Sequence, residues 1–119
     1  NLKMFILLTL EKNMISIKDF LNQLDTKVAK EAIENVRTVL HFDISGDLGG
    51  LYTLRIDQGV IGVEEGLIGD AKSTIRTSDV VFNDLLSRKS NPMMALMTGK
   101  LKVSNPGEIM KYVKLLGLM

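Results

Sequence analysis

The chain carries one histidine, His41, and it lies two residues before Asp43. An imidazole beside a carboxylate is the first pair from which acid–base chemistry could be built. Residues two apart on an extended segment share a face as a matter of course, however, and no nucleophile motif accompanies this pair. Glu64 and Glu65 are adjacent, so in a strand they point to opposite faces and cannot act as paired carboxylates across one substrate. Asp43 and Asp57 lack the ligand spacing of a calcium loop. The run Gly46-Asp47-Leu48-Gly49-Gly50 lacks the lysine and helix start that a phosphate loop needs. With no cysteine, thiolate zinc sites, disulfides and thiol nucleophiles are excluded, and one histidine excludes any site that needs two. These residues read as a solvated strand face and turns. The sequence therefore predicts no catalytic residue, no metal site and no cofactor.

Charge narrows the function further. The 15 basic residues nearly balance the 14 acidic ones, and 45% of the 119 residues are hydrophobic. That composition excludes intrinsic disorder and gives no basic excess for nucleic acid. The length suits one domain with one core. Within the apolar fraction the aromatics are scarce, at 5%, whereas methionine reaches 7 residues.

The elements that position these residues follow from periodicity. Ser16 with Asp19 three residues on reads as a helix N-cap, followed by apolar residues at helical spacing (Ile17, Phe20, Leu21, Leu24, Val28, Ile33), with a break near Asp25-Thr26. The period becomes two in residues 38–46, where Leu40, Phe42 and Ile44 alternate with His41, Asp43 and Ser45. A second strand carries Tyr52, Leu54 and Ile56; Gln58-Gly59 turns into a third, residues 60–65, and a fourth spans 71–77. Short turns between strands predict an antiparallel meander. Ser78-Asp79 opens a helix bearing Val81, Phe82, Leu85 and Leu86. Asn91-Pro92 and Asn105-Pro106 each read as N-cap and first helical residue, with a short strand at 100–103 between the two helices they start. The pattern is an α+β fold with the sheet covered mainly on one face.

Five methionines (Met93, Met94, Met97, Met110, Met119) fall in the last 27 residues, together with Leu96, Leu101, Leu115, Leu116 and Leu118. The apolar residues of 92–97 occupy more than one face of a very short helix, so they must be covered on more than one side. Two readings fit equally: gap-filling in an ordinary core, including one closed by a dimer, or an adaptable wall around an apolar ligand.

The segments LHFDISG at 40–46 and LYTLRIDQG at 51–59 resemble the opening strands of the sterol carrier protein 2 family. More specific is NPMMALMTGKLKV at 91–103, similar to that family's helix ending in glycine-lysine before a lysine-bearing strand. The resemblance runs from about Phe20 to the C-terminus. It implies a five-stranded, mainly antiparallel sheet, covered on one face by helices and enclosing an apolar tunnel. It also implies a non-catalytic protein that binds and transfers a lipid: a fatty acid, an acyl-coenzyme A, a sterol-like molecule or an isoprenoid. The tunnel it implies is lined by Phe82, Leu85 and Leu86, by Met93, Met94, Leu96 and Met97, by Leu101 and Val103, and by Met110, Val113 and Leu116. Two departures are that Ser104-Asn105-Pro106 replaces a glycine usual after the last strand, and that the chain ends Gly117-Leu118-Met119 without a Ser-Lys-Leu address.

The first 13 residues are apolar but far short of the ~20 residues of a membrane span. They read as an N-terminal extension, either a strand or strap packed on the domain or exchanged with a second copy through residues 4–10, or an artefact of start-site assignment or cloning ahead of Met14, with the lipid-binding domain at 14–119. The expected setting is cytoplasmic. Lys100, Lys102, Lys111 and Lys114 against Glu108 alone make the last 27 residues basic, compatible with transient membrane contact or with plain solvation. Two further functions fit the same apolar surface: an accessory subunit presenting a lipid intermediate to a partner enzyme, and a ligand-free homodimerising module.

Overall fold

The computed structural model describes residues 2–4 and 14–119. The expected N-terminal strap lies, apart from residues 2–4, outside them. Ser16 caps the first helix as expected: its hydroxyl accepts the Asp19 N–H at 3.1 Å and starts α1 (Ile17–Asn22). The chain then breaks twice, giving α2 (Leu24–Lys27) and α3 (Lys30–Ile33), so the helical stripe becomes three short helices around buried Ile17, Phe20, Leu21, Leu24 and Ile33.

The sheet comprises β1 (Arg37–Ser45), β2 (Gly50–Asp57), β3 (Val60–Glu65), β4 (Ser73–Ser78) and β5 (Lys102–Val103), in the order β3-β2-β1-β4-β5. The first two hairpins are antiparallel. β4 does not continue the meander. It crosses the sheet and pairs parallel with β1, Phe42 opposite Ile75, before β5 adds antiparallel to β4. The sheet is therefore mixed rather than mainly antiparallel. The reason is the connection at residues 66–72, which is too long for a tight hairpin and free to travel across the sheet.

That crossover is held by Thr53 and by His41, the histidine that first invited a catalytic reading. Thr53 Oγ1 donates to the Gly66 carbonyl at 2.7 Å and accepts the Ile68 N–H at 2.9 Å. His41 Nε2 lies 3.1 Å from the Ile68 carbonyl, which can only accept, so the imidazole is the donor. Asp43 pairs with Arg76, and Arg55 with Glu64, on this same outer face.

The opposite face is apolar in register. Leu40 faces Leu54, Phe42 faces Tyr52 and Ile75, and Ile56 faces Ile61. Helices α1–α3 cover it from one side. From the other come α4 (Asp79–Leu86), α5 (Pro92–Met97) and α6 (Pro106–Met110), followed by turns to the C-terminus. Phe82 sits at the meeting point. Its ring lies edge-on to Phe20 at 4.9 Å and to Phe42 at 6.4 Å, so α1, α4 and β1 meet on three of the chain's few aromatics.

Candidate functional site

Two apolar spaces flank α4. The inner one is walled by twelve apolar side chains from six parts of the chain. Ile75 and Val103 rise from the sheet, and Phe82 and Leu85 face it from α4. Pro92 and Leu96 of α5 close one end together with Leu101. Pro106, Ile109 and Met110 of α6 close another, and Val113 and Leu118 form the back. Its free space is only about 10 Å³, room for about one water. No tunnel stands open through it. Apolar walls that meet recover the dispersion contacts an empty cavity would forfeit.

The outer cleft, of about 510 Å³, lies across α4. Ile15, Phe20 and Leu24 form one wall, and Leu86, Leu115 and Leu116 the other; Lys27, Asn83 and Ser87 are its polar residues. Asn83 is already committed: its amide bonds Ile15 through both N–H and C=O, at 2.8 and 3.0 Å.

Caps shape the walls of the inner pocket. Asn91 Oδ1 accepts the Met94 N–H at 2.8 Å, and Pro92 takes the first helical position, as the sequence indicates. Asn105 does the same for Glu108. Past α6 the helix that Asn105-Pro106 starts gives way after Met110 to turns, closed by a Schellman motif. Gly117 adopts φ +75°, Gly117 N–H bonds the Lys114 carbonyl, and Leu118 N–H bonds the Val113 carbonyl at 2.8 Å. This motif folds Leu118 back beside Val113 into the inner pocket.

Beneath α6 lies a polar anchor. Glu108 is only 7% exposed; its carboxylate accepts the Thr38 hydroxyl at 2.8 Å and pairs with Lys111 at 3.3 Å. The Thr38 hydrogen bond, against the opposing effect of burial and with help from Lys111, holds this carboxyl below its ordinary value. Burial and the neighbouring Glu108 push the Tyr112 hydroxyl up.

Of the residues the resemblance implied, the structure brings Phe82, Leu85, Leu96, Leu101, Val103, Met110 and Val113 together around the inner pocket. Leu86 and Leu116 face the outer cleft. Met93, Met94 and Met97 line neither space and are 53%, 54% and 78% exposed. A helix of six residues buries one side, and here Pro92, Ala95 and Leu96 take it. Unassigned from sequence were the pocket residues Ile75, Pro92, Pro106, Ile109 and Leu118. Ile75 was signalled by its alternation with Thr74 and Arg76, and Leu118 by the glycine before it.

The profile of the SCP-2 sterol transfer family matches residues 17–119. The chain belongs to this family. The sterol carrier protein domain 2 of Helicoverpa armigera superposes with a TM-score of 0.65 at 26% identity, covering 82% of this chain and 80% of that one. A sec-alkylsulfatase from a Pseudomonas species shares the fold at TM-score 0.68 and 20% identity, over 84% of this chain but 16% of that enzyme. Hydroxysteroid dehydrogenase-like protein 2 of Xenopus tropicalis is 28% identical over 105 residues, 87% of this chain and 25% of the relative. The chain thus spans about a quarter of that relative's length. Membership supports binding of apolar lipids in general, and the five-stranded mixed sheet with helices on its apolar face is this family's α+β fold. Among the described residues no cluster of potential metal ligands converges, and no helix is long and apolar enough to cross a membrane.

Proposed function

We infer that the protein binds one apolar lipid between its sheet and α4–α6 and carries it without transforming it. The observation that carries this reading is the inner pocket, a contact region between six parts of the chain with no polar side chain in its lining. That wall supports a ligand with apolar length, such as a fatty acyl, acyl-coenzyme A, sterol-like or isoprenoid molecule. Because the pocket's own free space is about 10 Å³, entry requires its walls to part. A non-transforming role is supported by the commitment of the reactive side chains elsewhere: His41 to Ile68, Asp43 to Arg76, and Glu108 to Thr38 and Lys111.

Uptake of a fluorescent fatty acid supplied from solution tests this. Leu96→Asp puts a carboxylate into the pocket and is expected to abolish the signal, whereas Met97→Asp, one residue on but exposed, leaves it unchanged. Loss in Met97→Asp with retention in Leu96→Asp would overturn the placement, and no uptake by the parent chain would overturn the reading.

One further role, presentation of the lipid to a partner enzyme, is favoured by the dehydrogenase-like relative, of which this chain matches only a quarter. Gel filtration of a native extract separates the two: elution with a larger partner supports presentation, and elution as the free chain supports carriage alone.

A further inference from the structure

We propose that the outer side of α5 is the surface through which the protein docks on an anionic lipid bilayer, placing the wall of its pocket at the membrane. This rests on the lipid-carrier reading and specifies where loading takes place. Two independent features of the same stretch support it. First, Met93, Met94 and Met97 are exposed together, and their spacings of three and four residues put them on one side of the helix. Met119 is exposed as well, and it lines a separate surface hollow at the start of α5 with Asn91 and Pro92. Flexible, polarizable thioether chains suit insertion among disordered acyl chains.

Second, the segment around the patch is purely cationic. Residues 85–107 contain Arg88, Lys89, Lys100 and Lys102 and no aspartate or glutamate. All four cations are exposed, none makes an ion pair with a described residue, and Arg88 and Lys89 line the same hollow as Met119. Exposed apolar side chains flanked along the chain by long basic ones match a bilayer interface, where hydrocarbon takes the first and anionic headgroups the second. The same charge argues against a second copy as the occupant: a two-fold contact through this face would set these cations against their equivalents. The consequence for loading is geometric. The opposite side of the same six-residue helix carries Pro92 and Leu96 into the pocket. Seating the methionines in the bilayer therefore pulls directly on one pocket wall.

The test is co-sedimentation of the full chain with phosphatidylcholine vesicles, with and without phosphatidylglycerol. Binding is expected with the anionic lipid and is expected to fall with added salt. Lys100→Ala with Lys102→Ala should weaken it about thirtyfold, or about fivefold per lysine, and Met94→Ser with Met97→Ser should weaken it by a comparable factor. All four positions are exposed, so an unchanged unfolding midpoint shows that the fold is intact. Equal binding to neutral and anionic vesicles, no effect of the paired substitutions, or loss of a dimer in native mass spectrometry on substituting the methionines would each overturn the proposal. Fatty-acid uptake from solution keeps the two claims apart. Docking-defective variants should retain it, and a parent chain that docks but takes up no lipid refutes the carrier reading while leaving the docking surface standing.

Discussion

Glu108 fastens one wall of the candidate site to the sheet. Its buried carboxylate ties the start of α6 to Thr38 in the sheet, and its pKa lies below the ordinary 4.5 chiefly through the Thr38 bond. A carboxyl held lower in the folded than in the unfolded chain contributes stability that is complete above the unfolded value and is lost as pH falls through the folded one. In urea titrations below pH 4.5, Glu108→Gln should therefore lose stability less steeply than the parent. Identical acid limbs would contradict this. Thr38→Val removes the donor and should cost about 1–3 kcal/mol near neutral pH, because it leaves a buried acceptor short of a partner. At this scale the sequence was legible where chemistry is local. His41 and Asp43 were correctly read as sharing a strand face. What covers His41 was hidden, because its partner Ile68 is 27 positions away on the crossover.

Among the elements, α5 and the C-terminal turns are short and depend on their ends. Asn91→Ala removes the side-chain cap on Met94 N–H and should cost about 1 kcal/mol. It should also weaken fatty-acid binding, since Leu96 and Pro92 are held by the same helix; a thermal midpoint and a binding titration on one sample measure both. Gly117→Ala forces a side chain into φ +75° and should cost about 1–2 kcal/mol, loosening Leu118 from Val113. The caps at Ser16, Asn91 and Asn105 were readable because capping is written in residues three apart. The inward side of α5 was not. Every face of those six residues carries an apolar side chain, so periodicity is silent about which methionines turn out. β4 was equally opaque, because residues 66–72 carry turn chemistry but nothing that specifies the strand it returns to.

Across the whole molecule, the methionine excess divides from the core it was expected to line. The centre is Phe20, Phe42 and Phe82, the pocket walls are mainly aliphatic, and three of the methionines lie outside on α5. Lipid binding to a folded chain with a nearly closed pocket raises stability by mass action, about 2.7 kcal/mol when free lipid is 100 times its dissociation constant. Loaded protein should therefore unfold at a higher temperature than protein stripped of lipid, with the difference absent in Leu96→Asp. The most direct test of lipid carriage is native mass spectrometry of the chain purified from cells without detergent. The expected spectrum shows the chain mass plus one lipid, with that increment missing in Leu96→Asp. A spectrum of bare chain alone, unchanged after incubation with fatty acid, would contradict the account.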